Sequence, residues 1–506
     1  MREHRYSEAI ELEKQAIKLQ PDGYEAMANV GLGYLRLGQE KQGLEWLDKA
    51  YRGDAYNDYI SSIDVSVRQQ DGRMIVLNRL PVRFKTPQML AHTGSDDLLT
   101  GGLGDAGLVG AAPGYSGGGF LSAADLRVNA LYNQYHALAD LTAGGGYGSL
   151  YSKALKIPGT EYMAFADDGS GRENVSMLVQ IPDSFNASNP CILVIPAPEL
   201  RGFYGAMPTA EWGLRRGCAI AATDKGAGVG VEYVDSSESM SLEGLIALSD
   251  ATKSSQMSTG LDSSTRTNFA LKTPGRYGIK FAHSQQNPEK DWGKFTLQAV
   301  KFALFALNEE LAPKVNNAAT VKFTPANTLV IASSVSNGGG AALAAAELDT
   351  EGLIDGVAVG EPQIQPDGSG GAVVKFGANT VSNGGKSLMD YTAQGMLYQP
   401  CAALSSSVAA APGVAFINAT AGAGRCASLA AKGLLSATTL AAQADEALAK
   451  IRAAGWLPES DLLHASHFAF AVPAIAVTYV NTYAQANVAD NLCGYGFAAT
   501  GTDFKP

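Results

Sequence analysis

The sequence predicts an α/β fold in which a parallel sheet is wrapped by helices, preceded by a short all-α segment and interrupted late by a helical cap. Three observations carry that expectation. β-Branched apolar runs alternate with helical stretches from about residue 175 to residue 360, the pattern of strands joined by crossover helices. The first 55 residues place apolar and small residues at helical spacing instead. From Leu388 to Gln485 the sequence is Ala-rich and helical, as an insertion would be.

Taken in order, Tyr6, Ala9, Ile10, Ala16, Ile17 and Leu19 mark one helix stopped by Pro21. A second pattern runs Asn29, Gly31, Tyr34, Gly38, Gly43, Trp46, Leu47, Ala50. Ala9 and Gly43 lie 34 apart, as do Ala16 and Ala50. That offset resembles one and a half tetratricopeptide repeats, whose small residues let paired helices approach closely. Such arrays usually need about three repeats to bury a continuous core. Residues 1–55 alone therefore read as a remnant of such an array, or as a segment that docks on a protein partner. Residues 56–90 read as a connector with short strands at Ser62–Val67 and Met74–Leu77. The stretch from Ser95-Asp96-Asp97-Leu98-Leu99-Thr100 to Gly117-Gly118-Gly119 is Gly-rich and expected to be mostly loop.

From residue 91 to 506 the sequence reads as one catalytic-sized domain carrying the insertion at about 388–485. Val175–Ile181, closed by Pro182-Asp183, reads as an edge strand. Cys191–Pro196 reads as a buried central strand and Cys218–Asp224 as the next. A helix is expected over Phe295–Leu311, then buried strands at Thr328–Ser333 and Gly356–Gly360.

The most informative stretch follows Ile331: Ser333-Ser334-Val335-Ser336-Asn337-Gly338-Gly339-Gly340, then Ala341 to Ala346. A buried strand enters a tight turn and passes straight into a helix. Esterases place a nucleophilic serine at the apex of such a turn, with small neighbours so that strand and helix can approach. The helix start adds free N–H groups that favour a developing oxyanion. Ser334-x-Ser336-x-Gly338 varies G-x-S-x-G, with serine in place of the first glycine. The competing reading is a glycine-rich phosphate cradle. No lysine follows the glycines, which weakens that reading.

Upstream, Pro196-Ala197-Pro198-Glu199-Leu200-Arg201-Gly202 lies where hydrolases set the second oxyanion donor, so the backbone near Arg201 and Gly202 is the candidate there. Asn337 follows the serine and joins that oxyanion and substrate set. Asp224 ends a strand, where an acid capped by nearby N–H groups is the commoner arrangement.

The chain has 506 residues, a formal net charge of −11 and a pI near 5.1, a balance against nucleic acid or an anionic membrane as main partner. No apolar stretch is convincing as a membrane span. The five cysteines are far apart and form no zinc-type cluster, leaving at least one thiol unpaired while one or two disulfides stay open. Among six histidines, His464 and His467 lie downstream of the serine. Asp461, three residues before His464, would share a helical face with it, making His464 a substitute base or a structural residue.

Five stretches together resemble the 3-hydroxybutyrate oligomer hydrolase family. They are Ser95–Thr100; Glu211-Trp212-Gly213-Leu214 with Arg216-Gly217-Cys218-Ala219; Thr223-Asp224-Lys225-Gly226; Ser334–Gly339; and Ala474–Tyr479 with Asp490–Gly494. The resemblance implies an α/β-hydrolase-type serine esterase with Ser336 as nucleophile. It also implies a small-molecule ester of short 3-hydroxybutyrate chains as substrate, and no metal or organic cofactor. The family typically begins with an export signal, where this chain shows a tetratricopeptide-like segment, so localisation stays open. It also continues to a G-R-x-D-x-L-x-P-V strand and an A-Q-H-F-D stretch, which look like the sources of the triad acid and histidine. Neither occurs in this sequence. The alternative is a catalytically impaired hydrolase joined to an interaction segment.

Overall fold

The structure is a computed structural model that describes residues 2–53, 66–68, 74–81, 83–116, 121–136, 155–167, 172, 174–248, 255–315, 318–364, 373, 375–380, 388–411, 419–464, 472–494 and 496–499. The expected features at residues 62–65, 117–119, 412 and 467 lie outside these residues. Two compact units are present: residues 1–363 with 497–506, and residues 364–496.

The first unit opens with three helices, α1 (Arg2–Leu19), α2 (Tyr24–Arg36) and α3 (Glu40–Gly53). Gly38 (φ +73) takes the left-handed conformation that ends α2, with its N–H bonded to Leu35 O and that of Gln39 to Tyr34 O. A Cβ on Gly43 would stand 2.9 Å from the Gly31 carbonyl oxygen, so glycine permits the close crossing of α2 and α3. The two earlier members of the 34-residue pattern, Ala9 and Ala16, are exposed on α1, whereas Gly43 and Ala50 are buried. Ser66–Arg68 and Met74–Val76 then pair as a small antiparallel ribbon in the expected connector.

A seven-stranded sheet forms the core of this unit. Its strands are β1 (Gln88–His92), β2 (Gly159–Asp167), β3 (Asn174–Pro182), β4 (Cys191–Pro196), β5 (Ala219–Thr223), β6 (Leu329–Val335) and β7 (Gly356–Gly360), in spatial order β7-β6-β4-β5-β3-β2-β1. β7, β6, β4 and β5 are parallel neighbours, while β3, β2 and β1 pair antiparallel. The sheet is thus mixed, not parallel throughout as the sequence suggested. Only six residues separate Asp167 from Asn174, too few for the crossover that parallel pairing requires.

Four helices cover the sheet: α4 (Ala123–Tyr135), α5 (Met207–Leu214), α6 (Trp292–Leu311) and α7 (Ser336–Leu348). Alternate residues of each strand serve opposite faces. Ile192 and Val194 of β4 pack with Phe302, Ala303 and Leu307 of α6 and Ala342 of α7. Leu193 and Ile195 pack on the other side with Leu131 of α4 and Met207, Ala210 and Leu214 of α5. Each Ile, Val, Leu, Phe or Met among them, fully buried, stabilises the fold by roughly 1.5–3 kcal/mol.

Three strand expectations need correction. Val175–Ile181 is no edge: β3 is buried throughout between β2 and β5. Its polar Gln180 is turned inward, where the side-chain amide nitrogen donates to Leu98 O and to Glu161. Conversely β7 is an edge of the sheet, with Val357 38% exposed, and β6 is only alternately buried. The helix expected from Phe295 begins at Trp292.

A second, five-stranded antiparallel sheet has the order Ile246–Leu248, Glu238–Met240, Val231–Tyr233, Arg276–Ile279, Phe497–Ala498. The second unit contains α8 (Leu388–Ala402), α9 (Ala419–Ala431), α10 (Leu440–Ala453) and α11 (Val472–Tyr483), within the stretch expected to be helical. Tyr398, Leu429, Ala444, Leu448 and Ile451 form its core. No described helix is long and apolar enough to cross a membrane.

Cys191 and Cys218 form one disulfide and Cys401 and Cys426 another, the latter tying α8 to α9. The second closes a sequence separation of 25, for which chain-entropy arguments give about 3 kcal/mol. The double variant Cys401→Ser, Cys426→Ser should lose about that much in urea unfolding. An unchanged midpoint would show that the cross-link adds nothing.

Candidate active site

The carboxyl ends of the four parallel strands share an uncommon feature. Glu199 (φ +58) follows β4, Lys225 (φ +49) follows β5, Ser336 (φ +55) follows β6 and Glu361 (φ +44) follows β7. Non-glycine residues avoid this left-handed region at a cost of order 1–3 kcal/mol each. Such strain concentrates where a scaffold fixes functional groups, and ligands of open α/β sheets bind at the carboxyl ends of strands.

Ser336 is the apex between β6 and α7, starting the helix one residue after the strand ends. It is half-buried, and its hydroxyl makes no hydrogen bond among the described residues. Its carbonyl accepts from Gln363 N–H at 2.9 Å, which ties the apex to the chain beyond β7. The Ser334 hydroxyl, in the place of the first glycine, donates to Pro196 O at 2.7 Å and fastens β6 to the end of β4. Gly338 has no room for any side chain: a Cβ would lie 2.3 Å from Ser334 Oγ and 2.5 Å from Pro196 O. At Gly340 it would lie 2.2 Å from Gln363 O. Asn337 is buried, and its side-chain oxygen has no partner among the described residues.

The segment after β4 approaches this turn at Pro196 and Pro198. Arg201 is exposed and donates to Gln134 at 3.2 Å. Gly202 caps the 3₁₀ turn Phe203–Ala206 and accepts from Gly205 N–H at 2.8 Å. The structure therefore gathers Ser336, Asn337, Arg201 and Gly202 into one unit, on the ends of adjacent strands β6 and β4.

Several charged residues at this end escaped the sequence reading. Lys225 is fully buried, and its amine donates to Ala197 O and Glu199 O, both at 2.6 Å, under the Trp292 ring at 5.0 Å. Burial pushes this amine down to about 7, against the pull of Asp224 and Glu199. Asp224 is an N–H-capped acid: Oδ1 accepts from Ser176 and Gly226 N–H at 3.0 and 2.9 Å. Its Oδ2 pairs with buried Lys280 at 2.6 Å.

A second buried group centres on Glu161, which is 0% exposed. It accepts from Arg127 Nε and Nη2 at 2.9 Å each, from Gln180 at 2.8 Å and from Tyr204 OH at 3.1 Å, and pairs with His92 Nε2 at 3.1 Å. Burial pushes the Glu161 carboxyl up, but the Arg127 charge and the bonds from His92 and Arg127 outweigh it and leave it at about 2. Burial likewise pulls His92 down, yet the Glu161 and Asp96 carboxylates raise it above its ordinary value. Asp97, from the Ser95–Thr100 motif, accepts from Leu99, Thr100 and Gly102 N–H and shapes that loop.

Four histidine side chains are described with their partners. His92 sits in the Glu161 group, His136 meets Leu108 O, and His283 accepts from Ile279 N–H at 3.0 Å. His464 belongs to the second unit, 0% exposed, 3.1 Å from Gln399 and 3.3 Å from Asp461. The Asp461–His464 pairing arises at the end of a 3₁₀ turn, Pro458–Leu463, where residues three apart eclipse. Asp461 also pairs with Arg452. None of the four hydrogen-bonds Ser336 among the described residues. No group of three or more metal-ligating side chains occurs among them either.

The sequence model of the 3HB-oligomer hydrolase family matches residues 64–506. A D-(-)-3-hydroxybutyrate oligomer hydrolase of Polaromonas sp. is 48% identical over 441 residues, 84% of this chain and 62% of the relative. Proteins of the same name from Polaromonas naphthalenivorans and Ralstonia pickettii are each 49% identical, over 80% and 81% of this chain and 60% and 58% of their own. This chain thus spans about three-fifths of the length of these curated relatives. No solved structure matches.

Proposed function

The chain belongs to the 3HB-oligomer hydrolase family, and from that premise we propose that it is a serine esterase of α/β-hydrolase type that cleaves short 3-hydroxybutyrate oligomers. The observation that carries the proposal is Ser336 itself, held left-handed between β6 and α7 with a hydroxyl that makes no hydrogen bond among the described residues. The strand order supports the same architecture: four parallel strands flanked by an antiparallel β3, with the turn on the strand beside β4.

In this reading Ser336 Oγ bonds to the ester carbonyl carbon while a base takes its proton. The carbonyl oxygen becomes an oxyanion, received by the Asn337 N–H at the start of α7 and an N–H of the loop after β4. As the tetrahedral species collapses, the ester C–O bond breaks and the departing hydroxyl of the shortened oligomer receives the proton. Water then releases the acyl group from Ser336. Arg201, exposed in the loop after β4, offers a cation to the free carboxylate of the oligomer.

The test is labelling by a fluorophosphonate, with the modified peptide mapped by mass spectrometry, alongside release of 3-hydroxybutyrate from its dimer. Attachment at Ser336 together with turnover is the expected result. Turnover with the label on another serine would remove Ser336 from the mechanism.

A further inference from the structure

The Thr223-Asp224-Lys225-Gly226 motif has no part in the chemistry above, yet Lys225 is a fully buried amine aimed at backbone carbonyls of the loop after β4. We infer that Lys225 is a positioning residue: by holding Ala197 O and Glu199 O it turns the Glu199–Leu200 peptide so that the Leu200 N–H becomes the second oxyanion donor. The inference rests on the esterase reading of Ser336.

The geometry follows from strand order. β4 lies between β5 and β6, so its exit loop lies between Lys225, after β5, and Ser336, after β6. Lys225 draws the Glu199 carbonyl toward the β5 side, at 2.6 Å. In a trans peptide the N–H points opposite to the C=O, so the Leu200 N–H is turned toward the β6 side. That N–H makes no hydrogen bond among the described residues. The left-handed Glu199 (φ +58) is what allows the chain to reverse there, and such a conformation needs surrounding contacts to hold it. Lys225 is itself fixed, left-handed at φ +49, with its N–H on Thr223 Oγ1 at 3.0 Å and its amine beneath the Trp292 ring. A neutral amine keeps two N–H bonds and an ammonium three, so both protonation states can hold two carbonyls.

The experiment measures kcat and KM for 3-hydroxybutyrate dimer with Lys225→Met, with Leu200 replaced by its α-hydroxy acid to exchange the N–H for oxygen, and with Ser336→Ala. Removing an oxyanion donor lowers kcat by about 10²–10³-fold. Both the Lys225→Met and the Leu200 ester proteins are expected to fall by that order, with KM within about three-fold and the fold retained by circular dichroism. A merely structural Lys225 would lower the unfolding midpoint and leave kcat of the folded enzyme intact, which overturns the inference. If Lys225→Met does not fold, the ester protein decides, because it both deletes the Leu200 N–H and weakens the Glu199 carbonyl as acceptor. An unchanged kcat there overturns the inference. Activity that survives Ser336→Ala brings down the esterase reading itself, whereas activity lost in Ser336→Ala but kept in both other proteins brings down only the role of Lys225.

Discussion

Replacing Ser336 by alanine is expected to lower kcat for 3-hydroxybutyrate dimer by about 10⁴-fold or more while KM moves only a few-fold. The change removes the one hydroxyl oxygen of a half-buried residue, which makes no hydrogen bond within the described protein, so neither packing nor the hydrogen-bond network suffers. Stability should hold within about 0.5 kcal/mol, or rise, since alanine tolerates the helix start at least as well as serine. The left-handed φ of +55 stays costly for either residue. Initial rates and thermal unfolding of the two proteins, measured side by side, check both halves. A variant with near-normal kcat would mean the strained turn serves something other than nucleophilic attack.

The largest effect on stability is expected from Arg127→Leu. Arg127 places two N–H bonds on Glu161 and two more on the carbonyls of Asp96 and Asp97, all within the protein. Without it the buried carboxylate keeps, among the described residues, His92, Gln180 and Tyr204, and a buried charge stripped of its cationic partner costs about 3–5 kcal/mol. The same group predicts a pH profile. Glu161 is depressed from 4.5 to about 2, so its contribution, roughly 3 kcal/mol, is present above pH 4.5 and lost as pH falls toward 2. His92 is raised above 6.5, so its contribution is complete below that pH and lost as pH climbs through its folded value. Urea unfolding midpoints should therefore be highest between about pH 4.5 and 6.5 for this group, and Glu161→Gln should flatten the acid limb. A wild-type acid limb identical to that of Glu161→Gln would contradict the assignment.

These two residues also show what was legible in the sequence. The Ser336 turn is local: strand, apex, glycines and helix all fall within about a dozen residues, so their order alone defines the geometry. β4, β5 and α6 were legible for the same reason, as continuous apolar runs or helical periods. The Glu161 group was not, because Arg127 and His92 are 34 and 69 residues away from it in sequence. Val175–Ile181 reads as an edge strand, yet its Gln180 turns inward to that buried group, a contact no local pattern announces. Nor does any pattern announce that a lysine will bond main-chain carbonyls, as Lys225 does with Ala197 and Glu199, since every residue carries that acceptor. The disulfide pairings depended on spatial neighbours that spacing does not reveal.

The edge strand β7 carries a further consequence, for solubility. A sheet margin offers unpaired amides to any passing chain, and long, flat, greasy margins seed fibrils. β7 is five residues long and has glycine at both ends, Gly356 and Gly360, which leaves an intruding strand little length and few side chains to grip. Brevity and missing side chains here guard against runaway stacking, a protection that lengthening the strand or replacing its glycines with valine would erode.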